Sequence, residues 1–343
     1  MIIIVILLFL LVSFFSFFKL GKKTTQIFFV LIGVILFLIA GFRGEGIDRD
    51  YSTYLLYYNK PGRIAVELSF TIISTIAHFF GDPIFLFVFY ATLGVVLKVI
   101  AIRELTALCF LSSVIYISNL YILHELTQIR AGVASGFLLL CIKPIYDRNF
   151  WKFIIFAGCA TLFHYSAILV FLLWFIKGNH INKYFYATII PLAYIVHFLN
   201  INLMEMFIKL IPITDIQKKY SVYMLLQEQE FGDFAKINVF NLSFLASCLI
   251  YYVILWKSEL VKMQNRYVNL LLKIEAFSLT SFILFSAMPV FAFRISELLG
   301  VVEIILIPFM YYAFKPKLLS TSIVVSAGLG LLLINLFYIK LIT

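Results

Sequence analysis

Long apolar segments without a single charge dominate this sequence, and they limit the chain to folds that place helices in a membrane. Residues 2–18 and 27–40, for example, contain no Asp, Glu, Lys or Arg. Of all residues, 63% are hydrophobic and only 13% are charged, whereas a soluble domain carries about 25% charged residues. The segments do not alternate apolar and polar residues as the strands of a membrane barrel do. They therefore predict membrane-spanning helices, which need about 20 apolar residues each.

The fold class predicted is all-α, a polytopic membrane protein with about 12 transmembrane helices in one integral membrane domain over residues 1–343. Candidate spans lie near residues 2–18, 26–42, 83–101, 105–123, 128–146, 152–163, 165–177, 184–200, 239–256, 267–289, 297–314 and 318–339. No internal repeat and no Gly/Ser-rich linker divides the chain. Residues 43–82 are predicted as a first outer loop with juxtamembrane helices. Residues 201–238 are predicted as a large outer loop with one or two amphipathic surface helices.

The distribution of basic residues predicts the orientation. The apolar stretch 64–80 contains Glu67 and His78, which favours a helix along the outer surface over a membrane span. The following linkers then all face the cytoplasm: 19–25, 98–104, 143–152, 177–183, 257–275 and 315–317. They hold 16 of the 27 Lys and Arg residues but only 4 of the 17 Asp and Glu residues, as the positive-inside rule requires.

This topology accounts for the net charge of +10, so a nucleic-acid partner is not expected and membrane lipids are. The four cysteines lie within apolar segments and have neither metal-ligand nor redox spacing, which is typical of packing residues. No nucleotide-phosphate loop, dinucleotide fingerprint, zincin pair or serine elbow occurs. The sequence therefore predicts no cofactor.

The segment 151–175 is predicted to be a broken helix. Lys152 and Lys177 are both assigned to the cytoplasmic side, so the chain must turn back near His164. Each half is too short for an ordinary span, and a broken helix is tolerated in a membrane only where it lines a cavity or is buried in protein. His164 is therefore expected beside a cavity that opens to the outside.

Polar side chains from several separate parts of the chain then meet at the outer face. They are Arg43, Glu45, Asp48, Arg49, Asp50 and Tyr54; Glu67; His124, Glu125, Gln128 and Arg130; His164 and Tyr165; and Arg294 and Glu297. Ionisable groups at membrane depth are costly unless they are paired, which favours a functional role. We therefore expect a binding or catalytic site on this face.

Three arginines are the candidates for binding phosphate, because the planar guanidinium can bind two oxyanion oxygens at once. Arg43, Arg130 and Arg294 on one cavity are predicted to hold a diphosphate. The alternative for Arg43 is anchoring at the membrane interface. For Arg130 and Arg294 it is an ion pair with Glu125 or Glu297.

Asp48 and His164 are the two candidates for a general base that accepts a proton from a hydroxyl nucleophile. In the alternative readings, Asp48 or Asp50 caps a short helix from Tyr51, and His164 is a hydrogen-bonded core residue. Two acids, Asp48 and Asp50, are too few ligands to predict a metal site. Metal is therefore assigned to no residue.

Tyr54, Glu67 and Gln128 are the candidates for binding sugar. Tyr54 lies with Tyr57 and Tyr58 next to the acids, where the rings could stack on a sugar face. The alternative for these tyrosines is an aromatic belt at the membrane interface. Glu67 and Gln128 offer polar groups on the same face.

The order of these residues resembles the EpsG-like, Wzy-type polysaccharide polymerases of bacterial membranes, over most of the chain. The matching motifs are Arg43, Gly46-Ile47-Asp48 with Tyr51 and Tyr54, Glu67, Gln128-Ile129-Arg130-Ala131-Gly132-Val133-Ala134, Phe163-His164-Tyr165-Ser166-Ala167 and Phe293-Arg294. One departure is Ala131, where such proteins often have Gln. The early acid followed by surface helices also looks like the GT-C class of membrane glycosyltransferases.

The resemblance implies an O-antigen or polysaccharide polymerase in the bacterial inner (cytoplasmic) membrane, with its active site facing the periplasm. Its donor and acceptor would be oligosaccharide repeat units on undecaprenyl diphosphate, and a separate chain-length regulator protein would be a further partner. Two alternatives stay open. One is a GT-C glycosyltransferase that adds single sugars from a polyprenyl-phosphate donor; the other is a flippase or transporter of lipid-linked oligosaccharides. Transporters usually show repeats and charges along a full transmembrane path.

Overall fold

The computed structural model describes residues 1–60, 66–202, 205–206, 221–222, 224–225 and 237–343. Within these ranges the chain is helical apart from turns, loops and an isolated antiparallel β-bridge between Asp48 and Ile342. The all-α class predicted from the sequence is therefore confirmed. The surface helices predicted in 201–238 fall mostly outside the described residues.

The α-helices follow one another as α1 (Ile2–Ser16), α2 (Lys22–Gly41), α3 (Tyr51–Asn59), α4 (Leu68–Phe79), α5 (Ile84–Leu105), α6 (Cys109–Ile115), α7 (Ile129–Tyr146), α8 (Phe150–Phe163), α9 (Lys183–Phe198), α10 (Leu242–Trp256), α11 (Ser258–Lys262), α12 (Val268–Leu284), α13 (Pro289–Leu299), α14 (Glu303–Leu306), α15 (Met310–Ala313) and α16 (Lys317–Leu333). Two π-helical segments extend α6 and α16, over Tyr116–Thr127 and Ile334–Tyr338. The 3₁₀ segments are Tyr165–Phe175, Gly300–Val302 and Ile307–Phe309.

Five of the described helices are long and apolar enough to cross a membrane. They are Lys22–Gly41, Ile84–Leu105, Cys109–Thr127, Ile129–Tyr146 and Lys317–Tyr338. The protein is therefore built as a membrane protein, whereas the count of twelve spans stays a prediction. On α1, the side chains of Ile3, Leu7 and Phe14 are more than half exposed, which suits contact with lipid chains.

Four of the linkers predicted to face the cytoplasm meet at one end of the helix bundle. Side chains join them through hydrogen bonds or ion pairs from Lys143 to Glu104 (3.6 Å), Arg266 to Asp147 (3.3 Å) and Lys262 to the Asn179 carbonyl (3.2 Å). We call this the linker end. Its existence supports the common sidedness that the positive-inside rule predicts for these segments.

Residues 150–175 form a hairpin of two short helices. The Arg148 guanidinium donates to the carbonyls of Trp174 at 2.5 Å and Ile176 at 2.7 Å, so the hairpin begins and ends at the linker end. His164 lies at the tip with an extended backbone (φ −152°, ψ 118°). The break that the sequence predicts at His164 is therefore confirmed.

The helices α3 and α4 are too short to span a bilayer. The 12 residues of α4 extend about 18 Å at 1.5 Å per residue, against a hydrocarbon core of about 30 Å. The start of α4 packs on the hairpin tip, because Ser69 Oγ donates to the Leu162 carbonyl at 2.7 Å. The start of α4 therefore lies at the end of the bundle opposite to the linker end. We call this opposite end the site end.

The assignment of Lys98 to a cytoplasmic linker was wrong. Helix α5 continues unbroken to Leu105, and the Lys98 side chain is fully buried within the bundle. A lysine is tolerated at this depth because its ammonium forms an ion pair with Glu125 at 2.5 Å, which offsets the loss of hydration.

Candidate active site

Arg43 and Asp48 form a buried ion pair in the loop between α2 and α3. Arg43 Nε donates to Asp48 Oδ2 at 2.8 Å, and Nη1 donates to the Ala40 carbonyl at 2.7 Å. The guanidinium also lies over the Phe87 ring, 4.5 Å from its centroid. Both charged side chains are 0% exposed, so neither offers a surface to a ligand in this arrangement.

Helix α3 begins at Tyr51, as the sequence predicts, and the acids before it have distinct roles. Asp50 occupies the N-cap position without a capping bond from its side chain. Asp48 Oδ1 instead accepts from the Asp50 backbone N–H at 3.0 Å. The carboxylate of Asp48 therefore shapes the turn into α3.

The segment 341–343 packs against the loop between α2 and α3 and covers it. Thr343 N–H donates to the Ile47 carbonyl at 2.9 Å, and Thr343 Oγ1 donates to the Gly46 carbonyl at 2.7 Å. Ile342 is 2% exposed and pairs with Asp48 in the isolated β-bridge. The Arg43–Asp48 pair is thus held between α2, α5 and this segment.

Breaking the Arg43–Asp48 pair is expected to destabilise the protein. Arg43→Met strands a buried carboxylate, which typically costs about 3–5 kcal/mol of folding free energy. The thermal midpoint in detergent should fall for this variant, and Asp48→Asn added to it should restore part of the loss. An unchanged midpoint for Arg43→Met would contradict a structural role for the pair.

A second cluster joins three segments at the site end. Glu67, immediately before α4, accepts through Oε1 from His164 Nδ1 at 3.1 Å and through Oε2 from the Arg130 guanidinium at the start of α7. The side chain of Glu67 is 6% exposed, that of His164 is 14% and that of Arg130 is 22%. Both oxygens of the Glu67 carboxylate are therefore hydrogen-bonded, while the side chains of His164 and Arg130 remain partly exposed to solvent.

Aromatic rings surround the Arg130 guanidinium. Its carbon lies 5.7–5.8 Å from the ring centroids of Tyr54, Tyr57 and Phe70, within cation–π range. Tyr54 is buried, and burial raises the pKa of its hydroxyl to about 12. The hydroxyl therefore stays protonated at neutral pH.

The partners of Glu67 keep it ionised. Burial alone would raise the pKa of this carboxyl, but the hydrogen bond from His164 and the charge of Arg130 outweigh it and lower the pKa to about 2. Because the folded pKa lies below the unfolded value of 4.5, the stabilisation is present above pH 4.5. It is lost as the pH falls through the window from about 4.5 to about 2.

Acid unfolding should therefore depend on Glu67. The shift corresponds to a contribution on the order of 3 kcal/mol at neutral pH. Glu67→Gln should melt at a lower temperature than the wild type at pH 7, and the difference should shrink between about pH 4.5 and 2. Glu45→Gln, at an exposed acid in the neighbouring loop, is the control. A difference that stays constant with pH would contradict the assignment.

Gln128 and Glu297 link α7 to α13. Gln128 Nε2 donates to Glu297 Oε2 at 3.2 Å. Arg294 lies one helical turn before Glu297 and is exposed, and it forms neither a hydrogen bond nor an ion pair in the part of the chain that the structure describes. The ion pair of Arg294 with Glu297, which the sequence left open, is not formed.

The sequence reasoning missed the partners of two charged groups. Arg130 pairs with Glu67 and not with Glu125, because Glu125 faces Lys98 inside the bundle. The local signal in the sequence is Gly94 one helical turn before Lys98, a small residue and a lysine within the apolar part of α5. Long-range ion pairs of this kind have no periodic sequence pattern.

Five of the predicted site residues therefore form two neighbouring clusters along α3: Arg43 with Asp48, and Arg130 with Glu67 and His164. Arg43 lies over Tyr51 and Arg130 over Tyr54, whose ring packs against both Phe87 and Phe70. In the described ranges, no three His, Cys, Asp or Glu side chains converge as metal ligands. The chemistry available is proton transfer at His164 and oxyanion binding at arginine.

Comparison with known proteins identifies the family. A model of the EpsG family matches residues 26–343. Among curated proteins, the amylovoran biosynthesis protein AmsC of Erwinia amylovora is 22% identical over 316 residues, which cover 85% of this chain and 81% of that protein. No solved structure matches the chain significantly. Because the family model covers nearly the whole chain, this protein belongs to the EpsG family.

Proposed function

We propose that this chain is a polysaccharide polymerase that joins repeat units carried on undecaprenyl diphosphate at the outer face of the bacterial inner membrane. The observation that carries the proposal is the meeting of His164, Glu67 and Arg130, from three distant segments, at the site end. Membership of the EpsG family and the relative named for amylovoran biosynthesis support it. The linker end, which gathers basic residues, would face the cytoplasm.

His164 is proposed as the general base. Glu67 accepts the hydrogen bond from Nδ1, which leaves Nε2 to take a proton from the acceptor's hydroxyl. The hydroxyl oxygen then bonds to the donor's anomeric carbon, the bond from that carbon to the diphosphate breaks, and lipid diphosphate leaves. Asp48 is the weaker candidate, because its side chain is enclosed with Arg43.

Arg130 and Arg294 are proposed to bind the donor's diphosphate and to stabilise the charge that develops on it. Arg130 keeps an exposed edge although it pairs with Glu67, and Arg294 is exposed on the facing helix. Arg43 was the third candidate, but its burial with Asp48 leaves it to hold the loop. Gln128 flanks Arg130 and is proposed to limit where the sugar can lie. Tyr54 was also a candidate for sugar, but it is buried beneath the Arg130 guanidinium and supports that side chain instead.

The reaction needs no nucleotide sugar in this scheme, because the lipid diphosphate is already the leaving group. Purified protein in liposomes, supplied with synthetic undecaprenyl-diphosphate repeat units, should produce a ladder of polymers and release lipid diphosphate. The assay contains no ATP. A chain-length regulator, if one acts here, should narrow the ladder without being required for it.

The same assay separates the alternatives. Single additions from a polyprenyl-phosphate sugar, with no ladder, would instead support a GT-C glycosyltransferase. Movement of the lipid-linked oligosaccharide between leaflets without bond formation would support a transporter. Either result with folded protein would overturn the polymerase proposal.

A further inference from the structure

We infer that the buried Lys98–Glu125 ion pair is a positioning device for Gln128 and Arg130; the inference rests on the function proposed for that site. Lys98 comes from α5, and Glu125 comes from the π-helical segment that precedes α7. Their side chains are 0% and 1% exposed, and Nζ lies 2.5 Å from Oε1. Tyr116 donates to the same carboxylate oxygen at 2.9 Å.

The Lys98 ammonium bonds to residues on both sides of a helix break. Its ammonium also donates to the carbonyl of Gly132 at 2.7 Å. The break itself lies at Gln128, whose backbone (φ −88°, ψ 62°) ends the π-helical segment and starts α7. Because Glu125 precedes the break and Gly132 follows it, one ammonium fixes the segment that carries Gln128 and Arg130 at both of its ends.

Two glycines make room for this arrangement. A Cβ atom at Gly94 would lie 1.8 Å from Glu125 Oε2, and one at Gly132 would lie 2.9 Å from the His124 carbonyl. The carboxylate cannot turn aside without breaking its bonds to Lys98 and Tyr116. The packing of α5 on this segment is therefore built around the carboxylate.

Stability alone does not require such a pair. A buried ion pair can often be replaced by neutral side chains of similar size without loss of stability, whereas removal of one partner is strongly destabilising. A methionine in place of Lys98, however, cannot donate to the Gly132 carbonyl as the ammonium does. The double substitution therefore separates a positioning role from a purely structural one.

The test compares Lys98→Met, Glu125→Gln and the double variant in the liposome polymerase assay. We expect both single variants to lose membrane abundance and the double variant to recover abundance and thermal midpoint. In the folded double variant, kcat should still fall by about 100-fold, the typical effect of misplacing a catalytic group by about an ångström. Recovery of kcat together with the thermal midpoint would overturn the inference.

A second variant substitutes no charged residue. Gly94→Ala displaces the Glu125 carboxylate and should also lower kcat in folded protein. Gly158→Ala in α8 is its matched control, because a Cβ atom there meets nothing within 4 Å, and it should leave kcat unchanged. Equal activity of the two variants would overturn the inference.

A readout that needs no substrate distinguishes this inference from the proposed function. Amide hydrogen exchange over residues 125–132 should be faster in the double variant, while exchange in the α8 hairpin stays as in the wild type. If the wild type makes no polymer, the proposed function fails while the exchange result still decides whether the pair positions this segment. Unchanged exchange over these residues would overturn the positioning role.

Discussion

Replacing His164 by alanine is expected to reduce polymer synthesis by about 10²–10⁴-fold, the usual contribution of a general base. The imidazole sits at the hairpin tip with one nitrogen bonded to Glu67, and the other nitrogen is the proton acceptor in the proposed reaction. Polymer ladders from cells that lack the native gene, complemented with each variant, give the measurement. Loss of the hydrogen bond to Glu67 should also lower the thermal midpoint, while Arg130 keeps the carboxylate paired, so the ladders are compared at equal membrane abundance.

His197→Ala is the matched control for this prediction. His197 is also partly buried and hydrogen-bonded through Nδ1, in its case to Ser286 at 2.8 Å. It has no role in the proposed reaction, so its ladder should be normal. A normal ladder from His164→Ala, together with an absent ladder from well-folded Asp48→Asn, would transfer the role of base to Asp48.

The sequence predicted the features that depend on local pattern. Charge-free runs predict apolar helices because, without the alternation of barrel strands, they can satisfy their backbone hydrogen bonds in lipid only as helices. The break at His164 followed from two lysines that must lie on the same side. The short surface helices followed from polar residues within an apolar stretch, and the structure contains α3 and α4 where these were expected.

The sequence did not predict which charged groups pair. Asp48 and Arg130 were assigned to one face. The structure pairs Asp48 with Arg43 and Arg130 with Glu67, and the two guanidinium groups lie over successive tyrosines of α3, Tyr51 and Tyr54. Glu67 was a candidate for sugar, yet both of its oxygens are used by His164 and Arg130. Pairing of this kind depends on side-chain directions between helices far apart in sequence, which hydrophobic periodicity does not specify.

The length of helices was a further limit. Segment 267–289 was predicted as one span, but α12 ends at Leu284. Over 297–314 the chain is helical without interruption to Ala313 and alternates between α and 3₁₀ geometry. Hydropathy measures whether a segment prefers lipid or protein over water, and it does not specify where a helix ends or changes its hydrogen-bonding pattern.

Substitution of Arg294 by alanine is expected to lower the rate of polymerisation by about 10²–10³-fold, which corresponds to about 2.7–4 kcal/mol of lost charge stabilisation. Because Arg294 is exposed and forms no ion pair within the described part of the chain, the thermal midpoint should not change. Lys340→Ala is the control, an exposed cation next to the segment that covers the Asp48 loop. It should leave the rate unaltered.

Substitutions of Arg130 should change rate and stability differently from Arg294→Ala, because Arg130 is proposed to bind the diphosphate and also pairs with the buried Glu67. Arg130→Lys keeps a charge beside Glu67 but loses the two-pronged grip on oxyanions, so the rate should fall while the protein remains folded. Arg130→Ala should lose rate and stability together, since Glu67 is then buried without its cation. Normal rates from both Arg130→Lys and Arg294→Ala would remove arginine from the diphosphate site and, with it, the charge stabilisation that the mechanism requires.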